Sequence, residues 1–320
     1  HGEAKRETNT MPQWAGSCWY YLRFIDPKNS DEIISKEKEK YFMPVDLYVG
    51  GAEHAVLHLL YARFWHKFLY DIGVVSEKEP FKKLRNVGLI LAEDGQKMSK
   101  SKGNTISSEE IINKYGVDTL RVYEMFMGPF FDAIAFNMKG VNGVSRFLNR
   151  FWDLCIDCKD NDIESSKEIS REENILIKKV SLDLEEMKFN TAIAFFMEFL
   201  NFAEKRKNEV SLKSIKNILK LFHPFAPHMT QELWNILEEG KYIHEEAWPE
   251  YDDNLTTKDS MELVVQVNGK VRDKIEVDSK LSKEALQEIA LKSEKVKNWI
   301  EGKEIKKLIF IPPKLISIVI

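Results

Sequence analysis

Three lysines bracketed by glycines form the stretch of this chain best suited to phosphate chemistry. It reads Gly95-Gln96-Lys97-Met98-Ser99-Lys100-Ser101-Lys102-Gly103-Asn104. A loop of this kind can close over a polyphosphate, because ammonium groups are compact point charges. Their stabilisation would matter most on a phosphate that gains charge in a transition state. Lysine clusters are also typical of solvated surface turns, so that interpretation stands beside the first.

A second candidate site is Gly50-Gly51-Ala52-Glu53-His54-Ala55-Val56-Leu57-His58. Two glycines after a buried strand let a ligand approach the backbone closely. Glu53 lies in a predicted first helical turn, where a carboxylate is favoured and can accept hydrogen bonds from a ribose diol. His54 and His58 share one helical face. Zinc binding is one alternative, although the order is not His-Glu-x-x-His and no third ligand is evident. Two buried, hydrogen-bonded histidines are another.

Two further patterns have simpler structural explanations. Trp14, Ser17 and Tyr20 are spaced by three and can line one side of a pocket, or form an aromatic core seam. Cys155 and Cys158 form a lone Cys-x-x-Cys in a helical stretch, which indicates packing rather than metal or redox work.

The elements around these residues predict an α/β layer over residues 1–137. Val45–Val49 is a predicted strand that ends at the glycine pair, and a helix follows from Ala52 to about Ile72. Gly73 is placed to end that helix. Leu84–Leu91 is a second predicted strand. Strand, glycine turn, helix and strand is typical of a parallel α/β layer.

The rest of the chain predicts two other architectures. Residues 138–255 have helical periodicity and indicate a helical bundle. Asp252–Ser260 is polar, which suggests a linker at 256–260. Residues 261–320 predict a small ββαββ domain, so the fold class is multidomain: α/β, all-α and α+β. Around Asn268-Gly269 we favour a three-residue hairpin loop, which pairs Val267 with Val271 and Leu263 with Ile275.

Composition limits the function classes. The 47 basic and 51 acidic residues give a net charge of −4, so nucleic-acid binding would need local patches. Hydrophobic residues make up 43% and charged residues 31%, which excludes bulk disorder. No apolar run approaches the roughly 18–20 residues of a membrane span. Three cysteines cannot all pair, which favours the cytoplasm. The start, His1-Gly2-Glu3, has no signal-peptide features and looks like that of an excised segment.

Taken together, these segments resemble the bacterial leucyl-tRNA synthetase family. Lys97–Ser101, Lys-Met-Ser-Lys-Ser, matches the second signature of class I aminoacyl-tRNA synthetases. The family resemblance also rests on the following segments: Glu7–Pro12, Ser17–Phe24, Pro44–Trp65, Tyr115–Pro129, His223–Trp234 and Gln266–Arg272. It covers essentially the whole chain. It implies the second half of a Rossmann-like catalytic domain, a helical tRNA-binding domain and a C-terminal tRNA-binding domain.

The resemblance also implies roles for matching residues. ATP or the adenylate would be bound by Gly50, Gly51, Glu53, His54, Leu89, Ile90 and Lys100. Leucine would be held by Trp14, Ser17, Tyr20, His54 and His58. Lys97 and Lys100 would stabilise the pyrophosphate leaving group, with Mg²⁺ accompanying the nucleotide. The family forms leucyl-adenylate and transfers leucine to tRNA(Leu). No structural zinc is expected.

Departures from the family pattern define what is expected to be missing. The first signature, His-Ile-Gly-His, and the editing domain are absent from the sequence. The chain thus resembles the C-terminal third of the enzyme, and we expect it to need the N-terminal half as a partner and to be inactive alone.

Two other functions stay open at this stage. A tRNA-binding module without its own chemistry could use Lys270 and Arg272, with Lys274, on phosphates; a solvated hairpin face explains the same residues. A phosphate-binding hydrolase is weaker, because there is no Gly-x-x-x-x-Gly-Lys-Ser/Thr string.

Overall fold

The computed structural model describes residues 5, 14, 16–237, 242–256, 260–278, 281–311 and 315–320. It contains two compact units, which we describe separately. The first comprises His1–Leu148 with Leu184–Ala194, and the second comprises Asn149–Asp183 with Phe195–Ile320. The sequence predicts a boundary at residue 137, whereas the units divide at residue 148, within a helix.

The first unit is an α/β layer with two short parallel sheets. Strand β1 pairs with β2 and β3 pairs with β4, both in parallel, which confirms the predicted parallel arrangement. The elements are α1 (Tyr20–Ile25), α2 (Lys36–Phe42), β1 (Tyr48–Gly51), α3 (His58–Asp71), β2 (Leu84–Val87), β3 (Ile90–Leu91), α4 (Ser108–Tyr115), α5 (Val117–Phe126), β4 (Ile134–Ala135) and α6 (Met138–Asp157).

Two elements of this unit begin later than predicted. The strand predicted at Val45–Val49 begins only at Tyr48, and Val45 makes an isolated bridge to Phe81. The predicted helix from Ala52 starts as a 3₁₀ helix, Ala52–Val56, and Leu57 (φ −113°, ψ −107°) separates it from α3.

The single strand predicted at Leu84–Leu91 is two strands interrupted at Gly88. The Gly88 amide donates to the Phe130 carbonyl at 3.0 Å. A Cβ at Gly88 would lie 1.8 Å from the carbonyl oxygen of Asp132. Only glycine permits this approach of two backbones, and periodicity alone does not reveal it.

Helix α3 anchors the core of the unit against α1. Gly73 follows its end with φ +76°, which confirms the predicted terminating glycine. The buried apolar cluster contains Tyr21, Leu22, Ile34, Met43, Ala62, Leu69 and Val75. Because α1 and α3 share this cluster, the start of each helix is held in place beside β1.

The second unit begins with the predicted helices. They are α7 (Lys167–Glu185), α8 (Phe189–Ala203), α9 (Leu212–Phe222) and α10 (Pro227–Leu237). The end of α6, from residue 149, belongs to this unit, whereas the start of α8, up to residue 194, belongs to the first unit. Phe151, Phe196, Phe222 and Phe225 are fully buried and pack as an aromatic core. The predicted helical architecture is confirmed for this region.

The polar stretch that precedes the predicted linker at 256–260 is attached to the helices. The Asp252 amide donates to Asn174 Oδ1 at 2.7 Å, and Lys178 Nζ lies 2.6 Å from Asp253 Oδ1. A short 3₁₀ helix, Asp253–Leu255, follows. The polar composition of 252–255 therefore reflects bonding to α7 rather than a free connection. Residues 257–259 lie outside the described part.

The C-terminal region contains β5 (Ser260–Val267), β6 (Lys270–Asp278), α11 (Lys283–Lys292), α12 (Glu294–Ile300), β7 (Lys307–Ile311) and β8 (Leu315–Val319). Its four-stranded sheet has the order β6-β5-β8-β7, with β5 and β8 parallel. The single helix of the predicted ββαββ domain is two helices here, because Ser282 caps α11 and Ser293 caps α12. Pro312 and Pro313 lie outside the described residues.

The hairpin register is only partly as predicted. Asn268 (φ +49°) and Gly269 (φ +77°) form a two-residue loop, so Val267 pairs with Lys270 rather than with Val271. A bulge between Val265 and Gln266 then shifts the register, and Leu263 pairs with Ile275 as predicted. The bulge, rather than a longer loop, places the apolar residues of the two strands on the same face of the hairpin.

Candidate active site

Three segments of the first unit converge on one cavity of about 350 Å³. They are the chain from Trp14 into α1, the strand β1, and the 3₁₀ helix that leads into α3. The lining residues are Trp14, Ser17, Tyr20, Tyr48, Val49, Gly50, Gly51, His54, His58, Leu59 and Leu84. All five residues proposed to hold leucine are therefore brought together, along with both glycines.

A chain of hydrogen bonds crosses the wall of this cavity. Tyr20 Oη lies 2.8 Å from Tyr48 Oη, which lies 2.6 Å from His58 Nε2. On the other side of the ring, His58 Nδ1 lies 3.2 Å from Ser17 Oγ. Ser17 Oγ donates to the Trp14 carbonyl at 2.9 Å.

These contacts fix the tautomer of the neutral His58 ring. Because Ser17 gives its only hydrogen to a carbonyl, it accepts from His58 Nδ1–H, and in the neutral ring Nε2 accepts from Tyr48. Tyr20 then donates to Tyr48. Burial lowers the pKa of His58, and the neighbouring His54 lowers it further. The imidazole is therefore neutral, and this wall of the cavity is uncharged.

His54 and Trp14 leave polar atoms available at the same cavity. Their rings pack edge to face, with centroids 5.1 Å apart. Trp14 Nε1 and His54 Nδ1 are buried atoms that have no hydrogen-bond partner among the described residues. Buried polar groups are normally satisfied, so these two atoms fit a polar group of a ligand.

Zinc binding by the histidine pair does not fit this geometry. Both ring nitrogens of His58 already face hydroxyl groups, and the His54 and His58 ring centroids are 6.3 Å apart. Within the described ranges, no group of three or more histidine, cysteine or acidic residues could hold a metal ion.

Tyr48 is the site residue that our sequence analysis missed. Its ring stacks on Phe81 with centroids 4.0 Å apart, and burial raises the pKa of its hydroxyl, which also bonds to Tyr20. The alternation of a strand places Tyr48 on the same face as Gly50. That alternation is the signal in the sequence that Tyr48 faces the cavity, whereas apolar composition alone predicts only a buried strand at 45–49.

Glu53 and the glycine pair form an open corner of the cavity. Glu53 is exposed, and its carboxylate lies against Gly51, where an added Cβ would be 2.3 Å from Oε2. No atom lies within 4 Å of the corresponding position at Gly50. A ligand can therefore reach the backbone at Gly50 with a carboxylate acceptor close by.

Leu89 and Ile90 line a different cavity, of about 280 Å³, in the same unit. Their side chains are 41% and 38% exposed, unusual for leucine and isoleucine beside a parallel sheet. Gly88, Pro129 and Phe130 also line it. Leu89 and Ile90, the residues predicted to contact adenine, therefore present apolar surface to this second cavity and not to the cavity around His58.

The lysine loop has an ordered backbone and two uncommitted ammonium groups. Gly95 (φ +75°) and Gly103 (φ +66°) allow its turns, and the Ser99 amide donates to Asn104 Oδ1 at 2.9 Å. Lys102 Nζ donates to Gln96 Oε1 at 2.9 Å. Lys97 and Lys100 are exposed and make no ion pair or side-chain hydrogen bond with any described residue.

Lys270 and Arg272 lie on β6 in the second unit. Arg272 is stacked on Trp299, with its guanidinium carbon 3.4 Å from the ring centroid. Lys274, the third cation of this stretch, is paired with Glu262 at 2.9 Å. The hairpin thus offers one stacked arginine and one exposed lysine, Lys270.

The remaining sequence motif is buried, with Cys155 in the last turns of α6 and Cys158 directly after its end. Burial raises the pKa of both thiols, that of Cys158 to about 11. Neither thiol is poised to react, which fits packing. In the described part of the chain, no helix is long and apolar enough to cross a membrane.

Two family models match the chain. Residues 1–137 match the class I tRNA synthetases (I, L, M and V). Residues 166–287 match the anticodon-binding domain of tRNA ligases. The two matched ranges therefore resemble class I synthetase catalytic and anticodon-binding sequence, which supports the coarser part of the predicted resemblance.

Solved structures agree with this assignment. A LeuRS from Agrobacterium radiobacter K84, crystallised in a ternary complex with tRNA and LeuAMS, aligns with a TM-score of 0.80 and 29% identity. The alignment covers 95% of this chain and 41% of that LeuRS. A methionyl-tRNA synthetase from Mycobacterium tuberculosis, bound by methionyl-adenylate, aligns with a TM-score of 0.56 and 16% identity, over 71% and 50% of the two chains. The second similarity concerns the fold alone.

Proposed function

Because two ranges of the chain resemble class I tRNA synthetase catalytic and anticodon-binding sequence, we propose that it is the C-terminal portion of a leucyl-tRNA synthetase. In this role it activates leucine with ATP and transfers it to tRNA(Leu). The cavity around His58 carries the proposal, because it assembles all five proposed leucine residues from segments far apart in sequence. The similarity to a LeuRS over 95% of the chain supports it further.

The cavity suits leucine by its shape and its lack of charge. A ligand pocket is typically lined by apolar and aromatic groups with a few polar groups that set orientation. Here Tyr20 and Tyr48 hold a neutral His58, which presents an uncharged surface to an aliphatic side chain. Trp14 Nε1 and His54 Nδ1 would bond the polar end of the amino acid or its adenylate.

The nucleotide would occupy the open corner and reach the lysine loop. Glu53 would accept hydrogen bonds from the ribose hydroxyls, beside the accessible backbone of Gly50 and Gly51. Leu89 and Ile90 would cover the adenine. Lys97 and Lys100, which have no competing partner among the described side chains, would neutralise the charge that builds on the departing pyrophosphate. Mg²⁺ would accompany the nucleotide phosphates.

Attack of the leucine carboxylate on the α-phosphate would form the adenylate and release pyrophosphate. The tRNA 2′-hydroxyl would then attack the activated carbonyl and release AMP. The residues of this chain would orient leucine and the ribose and stabilise the leaving group. The chain covers 41% of the LeuRS that it resembles, so we propose that an N-terminal half completes the site.

Leucine-dependent ATP–pyrophosphate exchange tests the proposal directly. The assay compares the chain alone with a mixture containing an N-terminal half that carries the His-Ile-Gly-His signature. We expect exchange only in the mixture, and only with leucine among isoleucine, methionine and valine. Exchange by the chain alone would show that the site needs no second half.

A tRNA-binding module without chemistry is the alternative, favoured by the anticodon-binding match over residues 166–287. It predicts tRNA(Leu) binding by the chain but no exchange in the mixture, even when the two halves associate.

A further inference from the structure

Helix α3 has apolar residues on two opposite faces. One face is buried and includes Leu59, Ala62 and Leu69. The other carries Leu60, Phe64 and Phe68, which are 57%, 70% and 47% exposed. Their spacing of four places them in one row on the helix. We call Leu60, Phe64 and Phe68 the apolar stripe.

A solvent-facing helix normally carries polar residues on this side. A row of neighbouring exposed apolar side chains marks an interaction site, whereas a single exposed apolar residue does not. Beside the stripe, Arg63 and Lys67 both bond to Glu79 at 2.7 and 2.9 Å, and the exposed Asp71 lies where the stripe ends, at the last residue of α3. An apolar centre with a polar border is the usual anatomy of a protein interface.

The sheets next to α3 also need more polypeptide. Parallel strands are normally buried on both faces, and two strands alone are marginal. Yet β1 pairs with one strand only among the described residues, and its Val49 is 44% exposed. Strand β1 and the first residues of α3 both line the His58 cavity. The open edge of the sheet and the apolar stripe therefore belong to two elements that meet at this cavity.

We propose that the apolar stripe is the docking face for the N-terminal half of the synthetase, an inference that rests on the proposed function. The aligned LeuRS leaves more than half of its own length unmatched by this chain, which supplies an occupant of sufficient size. A second copy of the chain fits less well, because it would bring another incomplete sheet. Docking at the stripe covers the face of α3 opposite its buried residues.

Charge insertion into the stripe tests this assignment. The wild-type chain, Leu60→Glu and Phe64→Glu are titrated against the N-terminal half from the same organism, with binding followed by sedimentation velocity. Leu182→Glu is the matched control, because Leu182 lies on α7, is 50% exposed and is outside the stripe. Both stripe variants should weaken binding by at least about tenfold, while the control stays within about twofold.

Circular dichroism establishes that each variant is folded, which is expected because the altered side chains face water. Equal binding by wild type and both stripe variants would overturn the docking assignment, while leucine-dependent exchange in the mixture would leave the proposed function intact. Stripe-dependent binding without exchange would support the docking face and count against the function. Self-association that Phe64→Glu abolishes would identify a second copy as the occupant and overturn the proposal.

Discussion

At the level of single residues, the lysines of the loop differ in what they already bind. The Lys102 ammonium donates to Gln96, whereas the ammonium groups of Lys97 and Lys100 bond to no group of the described residues. Position in the motif alone does not make this distinction, since all three residues are exposed lysines.

Lys100→Ala should therefore slow leucine activation selectively in the completed enzyme. We expect a loss of about 2–4 kcal/mol of transition-state stabilisation, the usual effect of removing a preorganised charge stabiliser. Pyrophosphate exchange measures it, with Lys102→Ala as the control because that ammonium is already engaged. An unchanged rate for Lys100→Ala would remove its proposed role.

Tyr48→Phe tests the hydrogen-bond chain at the cavity that we propose for leucine. The change deletes the hydroxyl 2.6 Å from His58 Nε2 and leaves that acceptor unsatisfied, which costs about 1–3 kcal/mol. The KM for leucine should rise roughly tenfold while the KM for ATP stays constant. Tyr41→Phe, at an 82% exposed tyrosine, is the control. Equal effects on both substrates would indicate general structural damage instead.

At the level of secondary structure, α3 joins the site to the core through a buried histidine. The ring of His66 is inaccessible to solvent; its Nε2 lies 3.0 Å from the Glu77 carbonyl and its Nδ1 lies 3.0 Å from Tyr21 Oη. Because a carbonyl only accepts, Nε2 carries the hydrogen and Tyr21 donates to Nδ1. Burial lowers the pKa of His66, so the folded state holds it neutral.

The stability of the first unit should therefore fall in acid. The folded-state pKa of His66 is below its unfolded value, so its contribution is complete above about pH 6.5 and is lost as the pH falls through the folded pKa. His58 acts in the same direction. Denaturant unfolding between pH 7.5 and 5 should show a loss of at most about 1.4 kcal/mol per pH unit for each imidazole.

His66→Gln should flatten this pH dependence although it lowers stability at neutral pH. His228→Gln, at an exposed histidine on α10, should leave it unchanged. An identical pH profile for His66→Gln and the unaltered chain would show that His66 does not titrate on unfolding.

At the level of the whole molecule, the proposed tRNA binding would have to overcome a net charge of −4. Local cationic positions therefore decide the interaction. In the hairpin, Lys270 is exposed and Arg272 is stacked on Trp299, whereas Lys274 is paired with Glu262. The first two are the residues that we propose for phosphate contact.

Binding of tRNA(Leu) to the chain should weaken steeply with salt. Replacing Lys270 by alanine should reduce the slope of log K against log[salt] by about 1, and Arg272→Ala should do the same. Lys274→Ala should have a smaller effect because its charge is already paired. Filter binding between low and moderate salt measures all three variants, and unchanged slopes for Lys270 and Arg272 would place the contact elsewhere.

Local pattern in the sequence determined the main elements and the candidate chemistry. Helical periodicity predicted α7–α10, Gly73 predicted the end of α3, and the ordered lysine string indicated a phosphate-binding loop. These features depend on neighbouring residues or on side-chain type, which a sequence displays directly.

Tertiary structure decided what depends on segments distant in the chain. Tyr48 joins the His58 cavity because its hydroxyl meets His58 and Tyr20, and Gly88 breaks a strand because the backbone at Asp132 lies against it. Packing likewise decides the hairpin bulge and which of the two apolar faces of α3 is buried. Apolar periodicity shows that a residue is to be covered, but only the folded chain shows what covers it.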